Sequence, residues 1–130
     1  MQLLKIYYAY FSPGNTTEKV VSHIASSFQN YPVESINLTD YATRQEDYYF
    51  KENELLIIGV PAYGGRVPAP VVDALRHFTG SNTPVVLVAT YGNRDIDDTL
   101  IELKKNVIDK GFIPVGAASF VCQHTFLKEC

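Results

Sequence analysis

The fold of this chain is decided first by residues 3–17, LLKIYYAYFSPGNTT. Leu3 to Phe11 is an apolar and aromatic run of strand length, and the segment Ser12-Pro13-Gly14-Asn15 interrupts it with residues that favour turns. Beyond the turn, apolar residues recur at three- and four-residue spacing, which predicts a helix that begins near Thr16. A strand, a short loop and a helix in this order form the first half of a βαβ unit.

Strand-like and helical segments continue to alternate along the rest of the chain. Further strands are predicted at Val33 to Leu38, Leu55 to Val60, Val85 to Ala89 and Ile113 to Val121. Two sets of apolar residues have helical spacing. The first set is Val71, Leu75 and Phe78, and the second is Ile96, Leu100, Leu103 and Val107. Gly111 is the expected end of the second helix. Residues 40–50 occupy the place of a crossover helix, and we assign a short helix to them.

These elements predict an α/β fold with one five-stranded parallel sheet. Unbroken apolar runs at Leu55 to Val60 and Val85 to Ala89 are typical of central strands covered on both faces. The second strand alternates polar and apolar residues, and the fifth contains Pro114, so both are expected at edges. Right-handed crossovers then favour the strand order 2-1-3-4-5 in a single domain, residues 1–130.

Composition excludes several classes of partner. The 130 residues suit one domain, and a formal charge of −3 with mixed signs provides no cationic face for nucleic acid. No apolar run has membrane-spanning length. The two cysteines, Cys122 and Cys130, lack the spacing of a zinc or iron–sulfur site, so we expect no metal and a cytoplasmic protein.

In a sheet of this order, ligands bind beyond the carboxyl ends of the strands, next to the loops after strands 1, 3 and 4. The first loop carries small and hydroxyl residues into a helix N-terminus, which can hold a phosphate without Lys or Arg. The alternative is a cluster of helix-capping residues. No Walker lysine and no G-x-G-x-x-G follows, which excludes the usual nucleoside triphosphate and dinucleotide motifs.

The other two loops each place a tyrosine beside glycine. Residues 61–68 read PAYGGRVP and residues 90–94 read TYGNR, so that Tyr63 and Tyr91 lie at the same edge of the sheet. A single such tyrosine more often packs on the protein itself. Two of them beside a phosphate-type loop favour a ligand with an aromatic ring system and a phosphate tail.

The three loops resemble those of flavodoxins, and most closely those of the flavodoxin half of bacterial flavodoxin–ferredoxin fusion proteins. The resemblance runs from Leu3 to about Phe126 and includes residues 123–126, QHTF. It implies a flavodoxin-like three-layer sandwich, FMN as cofactor, and a redox partner protein such as a ferredoxin or a reductase. It implies phosphate contacts from Ser12, Gly14, Asn15, Thr16 and Thr17, and contacts to the isoalloxazine ring from Pro61, Ala62, Tyr63, Gly64, Gly65, Thr90, Tyr91, Gly92 and Asn93.

Two departures from the family pattern carry expectations of their own. Gly14-Asn15 stands where the family usually has Thr-Gly, so one hydroxyl is missing and Asn15 occupies a position that favours a positive φ. The sequence also ends soon after the fifth strand, so we expect no final helix. Apolar residues at Phe120, Val121 and Phe126 would then pair with a second copy or a partner.

The favoured function is an electron carrier without catalytic residues of its own. A flavodoxin-like NAD(P)H:quinone reductase and a flavin-free interaction domain are the alternatives, since this fold serves many functions. Six charged or titratable residues near the predicted site each have two interpretations. They are ordinary surface or helix-end groups, or they influence the flavin or its partner. The six are Arg66, Arg94, Asp95, Asp97, Asp98 and His124. The three aspartates are hypothesised to lower the second reduction potential.

Overall fold

The computed structural model of the protein describes residues 2–92 and 97–121. Within them the strands are β1 Lys5–Tyr10, β2 Val33–Asn37, β3 Tyr48–Tyr49, β4 Glu54–Pro61, β5 Phe78–Thr79, β6 Thr83–Tyr91 and β7 Phe112–Val121. The helices are α1 Thr16–Ser26, α2 Tyr41–Arg44, α3 Ala69–Leu75 and α4 Asp97–Asp109. The expectations for Asn93, Arg94, Asp95, Ile96, both cysteines, His124, Phe126 and a final helix lie outside the described residues.

The central sheet has five parallel strands in the order β2-β1-β4-β6-β7. As predicted from their sequences, β2 and β7 lie at its edges. The predicted order 2-1-3-4-5 counted only five strands and needs correction. The described chain has seven strands, and in their numbering the order of the main sheet is 2-1-4-6-7. The numbering shifts because β3 and β5, which the sequence analysis missed, pair with each other outside the main sheet.

The segment around Phe78 was wrongly assigned to a helix. α3 ends at Leu75, and Phe78 instead pairs with Tyr48 in the small parallel sheet. Its ring is fully buried, 5.3 Å from the ring centroids of both Tyr48 and Phe50. Residues 40–50 are likewise helical only over Tyr41–Arg44. At Phe78, burial of the aromatic ring against a distant segment has overridden the local helical spacing.

Helices cover the main sheet on both faces. Val21 and Ala25 of α1 pack with Ile57 and Val88 on one face. On the other face, α3 and α4 contribute the apolar residues Val71, Ala74, Leu75, Leu103 and Val107, packed with Leu56, Ile58 and Leu87. All eight residues of β4 are buried, as expected for a central strand between two helical layers.

The α1 layer lies unusually close to β4 at Gly59. A Cβ built on Gly59 would lie 2.4 Å from Val21 Cγ1 and 3.0 Å from Thr17 Cγ2. Only a residue without a side chain permits this contact. Gly59 therefore determines how closely the beginning of α1 approaches the carboxyl end of the sheet.

Several apolar side chains of β7 are exposed in the described structure. They are Ile113, Val115, Phe120 and Val121. No helix within residues 2–92 and 97–121 is long and apolar enough to cross a membrane.

Candidate functional site

The loop after β1 turns tightly into α1. Asn15 adopts the left-handed conformation with φ 73° and ψ −5°, as expected for this position, and its N–H donates to the carbonyl of Ser12 at 3.1 Å. The Ser12 hydroxyl accepts the N–H of Glu18 at 3.0 Å, and the Asn15 carbonyl accepts that of Lys19 at 3.2 Å. The Ser12 hydroxyl thus satisfies one first-turn amide, and the bond from Lys19 is the first intrahelical hydrogen bond of α1.

Two long-range hydrogen bonds hold this loop and helix in place. The buried Ser12 donates its backbone N–H to Thr39 Oγ1 at 2.8 Å, which ties the loop to the segment after β2. Thr17 Oγ1 and Thr90 Oγ1 lie 2.9 Å apart and are both buried, which ties the first turn of α1 to the end of β6. Thr90 therefore contacts Thr17, which belongs to the candidate site.

The loop after β4 contains a two-residue turn. Tyr63 and Arg66 exchange both backbone N–H···O hydrogen bonds at 3.0 Å, and the intervening Gly64 and Gly65 have φ values of 59° and 78°. Positive φ at both central residues is the type I′ geometry, which glycine adopts without steric cost. The two glycines therefore have a structural role in the turn, whatever ligand contact they make.

Tyr63 is held at the mouth of the site by neighbours from two strands. The ring of Tyr63 meets Phe11 edge-on, with centroids 6.3 Å apart and planes at 76°. The preceding residue, Ala62, donates its N–H to the carbonyl of Thr90 at 2.8 Å. Tyr63 remains 48% exposed, so a large part of its surface faces the outside of the protein.

The loops after β1 and β4 meet around one small hollow. Its lining includes six of the predicted site residues, Ser12, Gly14, Thr16, Thr17, Pro61 and Tyr63, and one that was not predicted, Pro13. The other predicted residues within the described chain do not line this hollow; they are Asn15, Ala62, Gly64, Gly65, Thr90, Tyr91 and Gly92. The first four lie beside lining residues in the same two loops, whereas Thr90 and Tyr91 end β6 and Gly92 follows it.

Two glutamates, Glu18 of α1 and Glu102 of α4, hydrogen-bond to residues close in the chain to the loops that line the hollow. The hydroxyl of Tyr10 donates to Glu18 Oε2 at 3.3 Å, and burial, reinforced by that carboxylate, raises the pKa of Tyr10 to about 12. In the turn after β4, the guanidinium of Arg66 hydrogen-bonds to Glu102, which lowers the pKa of the Glu102 carboxyl and raises the pKa of Arg66. Arg66 is thus engaged with the protein's own α4.

Sequence reasoning missed three residues that shape the site, Pro13, Thr39 and Glu102. Pro13 belongs to the loop already identified, so its position alone could have suggested it. Thr39 follows β2 at the carboxyl edge next to β1, and the strand order predicts that neighbourhood. Glu102 lies in the middle of a helix, and no local pattern distinguishes it from any exposed helical glutamate.

Solved structures that match the chain include flavodoxins and flavoproteins. A flavodoxin from the domain Archaea matches with a TM-score of 0.68 at 14% identity, covering 92% of this chain and 85% of the other. A putative flavoprotein from Bacteroides uniformis matches with a TM-score of 0.64 at 17% identity, covering 95% and 96% of the two chains. A flavoprotein from Lactobacillus acidophilus in complex with FMN matches with a TM-score of 0.61 at 15% identity, covering 89% and 93%.

The chain therefore has the flavodoxin-like fold. No family model and no curated protein sequence matches it. At 14–17% identity, the structural similarity establishes the fold, while the function has to be argued from the site.

Proposed function

We propose that this protein binds FMN and serves as an electron carrier. The observation that carries the proposal is the meeting of the first turn of α1 and the aromatic loop after β4 in one hollow, lined by Thr16, Thr17 and Tyr63 among others. A ligand that spans these two features needs a phosphate at one end and a flat ring at the other. FMN has both.

The phosphate end is suited to the start of α1. A helix N-terminus presents N–H groups and a partial positive charge, so it attracts an anion without a cationic side chain. None of the described residues that line the hollow is Lys or Arg, which leaves the helix end as the source of attraction there. The positive φ of Asn15 shapes the loop that leads into this turn.

The ring end is suited to the loop after β4. Tyr63 is half-exposed, and its edge-on contact with Phe11 restricts its orientation. A restrained tyrosine beside Pro61 would offer an apolar surface to an isoalloxazine ring, and we propose Tyr91, at the end of β6, as its counterpart. Bound FMN would supply the redox chemistry, while these residues hold it and shield it from water.

The proposal includes further points that come from the sequence. A ferredoxin or a reductase would be the redox partner, as in the flavodoxin–ferredoxin fusion proteins that the loops resemble. A cytoplasmic location is consistent with only two cysteines in the chain. The exposed apolar residues of β7 support pairing with a second copy or a partner. The hypothesis that Asp95, Asp97 and Asp98 lower the second reduction potential of the flavin is also part of the proposal.

Titration of the purified protein with FMN and with riboflavin tests this proposal. The protein should quench FMN fluorescence with one-to-one stoichiometry and bind riboflavin more weakly, because riboflavin lacks the phosphate. Thr16→Asp places a carboxylate at the phosphate position and should weaken FMN binding by about 100-fold with little effect on riboflavin. An acidic residue in the first turn stabilises a helix, so the variant should remain folded.

Ser35→Asp is the matched control. It adds the same charge at an exposed position of β2, away from the hollow, and should leave FMN binding unchanged. Equal affinity for FMN and riboflavin, or no binding of either, would contradict the proposal.

Steady-state oxidation of NAD(P)H with a quinone should be almost absent, and rapid turnover would favour a reductase instead.

A further inference from the structure

Glu102 connects α4 to the loop after β4. Its Oε1 accepts hydrogen bonds from Arg66 Nε at 2.9 Å and from the backbone N–H of Val67 at 3.0 Å. Its Oε2 lies 3.4 Å from Nη2 of Arg66, so the carboxylate and the guanidinium face each other side by side. Three hydrogen bonds from two adjacent loop residues therefore converge on one carboxylate.

These hydrogen bonds act on the turn that carries Tyr63. Arg66 is the last residue of that turn, and its backbone exchanges two hydrogen bonds with Tyr63. Gly64 and Gly65 have the φ values that the closed two-residue turn requires, so the turn is a compact unit. A displacement of Arg66 or Val67 would consequently move Tyr63 as well.

The other end of the connection is well anchored. Leu103 follows Glu102 in α4, and both Leu103 and Val107 are completely buried in the main core. The Glu102 side chain is 24% exposed, whereas that of Arg66 is 69% exposed. Solvent weakens the ion pair on the arginine side, so the hydrogen bond to Val67 and the partly buried carboxylate contribute most of the restraint.

We propose that Glu102 is a positioning residue of the FMN site, which holds the loop after β4, and with it Tyr63, in the place from which the loop flanks the flavin ring. This inference rests on the proposed function. It assigns to α4 a role that the sequence did not indicate. Without the carboxylate, the loop would have to be ordered by the flavin itself, at a cost in affinity.

The test compares Glu102→Ala and Glu102→Gln with the wild-type protein. Glu102→Ala should raise the Kd for FMN by about five- to tenfold, the equivalent of one partly exposed charge-assisted hydrogen bond. Glu102→Gln keeps an oxygen acceptor for Val67 and should recover part of that loss. Inorganic phosphate, which needs only the start of α1, should compete with FMN with the same inhibition constant in every variant.

Glu34→Gln is the matched control. It removes the carboxylate from another ion pair, Lys5 with Glu34 at 2.6 Å, near the amino ends of β1 and β2, whereas the hollow lies beyond the carboxyl end of β1. FMN binding should be unchanged in this variant. The visible absorption spectrum of bound FMN, which responds to the surroundings of the ring, should shift in Glu102→Ala but not in Glu34→Gln.

Three outcomes would overturn the inference in distinguishable ways. If wild-type protein binds FMN and Glu102→Ala binds it equally well, Glu102 has no positioning role and the proposed function stands. If Glu102→Ala loses affinity for FMN and for phosphate by the same factor, the residue supports the structure generally. If the wild-type protein fails to bind FMN, the inference and the proposed function are both wrong.

Discussion

Gly59→Ala should disturb the candidate site through the packing of α1 on the sheet. The new methyl group would lie 2.4 Å from Val21 Cγ1, which is fully buried, and 3.0 Å from Thr17 Cγ2. Ordinary carbon–carbon contacts are about 3.5–4.0 Å long, so the overlap with Val21 exceeds about 1 Å. Valine and threonine are β-branched and stiff at χ1, so we expect the overlap to be relieved by movement of α1 away from β4.

The magnitude follows from this displacement. Overpacking a buried contact costs about 1–3 kcal/mol, and we expect a loss of about 2 kcal/mol in the free energy of unfolding. Movement of α1 also shifts Thr16 and Thr17 and strains the buried hydroxyl pair of Thr17 and Thr90. Loss of one charge-assisted hydrogen bond to a phosphate corresponds to a rise of at least about tenfold in the Kd for FMN.

Urea denaturation of the apoprotein and fluorescence titration with FMN measure the two effects separately. Gly116→Ala is the control, because a Cβ there would meet only Val86 Cγ2, at 3.8 Å, and Gly116 lacks a positive φ. That variant should be as stable as the wild type or more stable by up to about 1 kcal/mol. If Gly59→Ala matches the wild type in both measurements, α1 does not approach β4 as closely as described.

Three further predictions concern single features of the structure. Asn15→Ala should lower the free energy of unfolding in urea by about 1 kcal/mol, because alanine tolerates the left-handed conformation less well, while Asn15→Gly should leave it unchanged. Equal stability of the wild type and both variants would argue against a positive φ at this position. Tyr10 has a pKa of about 12 in the folded protein against about 10 when unfolded, so its contribution to stability is complete below pH 10 and is lost as the pH rises towards 12. The free energy of unfolding of Tyr10→Phe should therefore decline less over that range, and a decline identical to that of the wild type would exclude the pKa shift. Sedimentation velocity at micromolar concentration should detect a dimer formed through exposed residues such as Phe120 and Val121, and a monomer would count against the pairing.

Much of the main sheet and of the two chief loops could be predicted from short stretches of sequence. The start of α1 at Thr16 and the edge positions of β2 and β7 agree with the structure. The positive φ of Asn15 could be anticipated as well, because asparagine is the residue other than glycine that best tolerates it. Each of these features depends on a few neighbouring residues, whose periodicity and turn preferences are visible in one window of sequence.

The sequence by itself thus determined the alternation of strands and helices and the chemistry of the loops at the carboxyl edge. Only the tertiary structure decided that Phe78 pairs in a strand, that Thr17 bonds to Thr90 and that Glu102 holds Arg66. The hydrogen-bonded pairs are separated by 73 and 36 residues along the chain. Contacts of this kind depend on how closely each helix lies on the sheet and in which rotation, and no local window of residues contains that information.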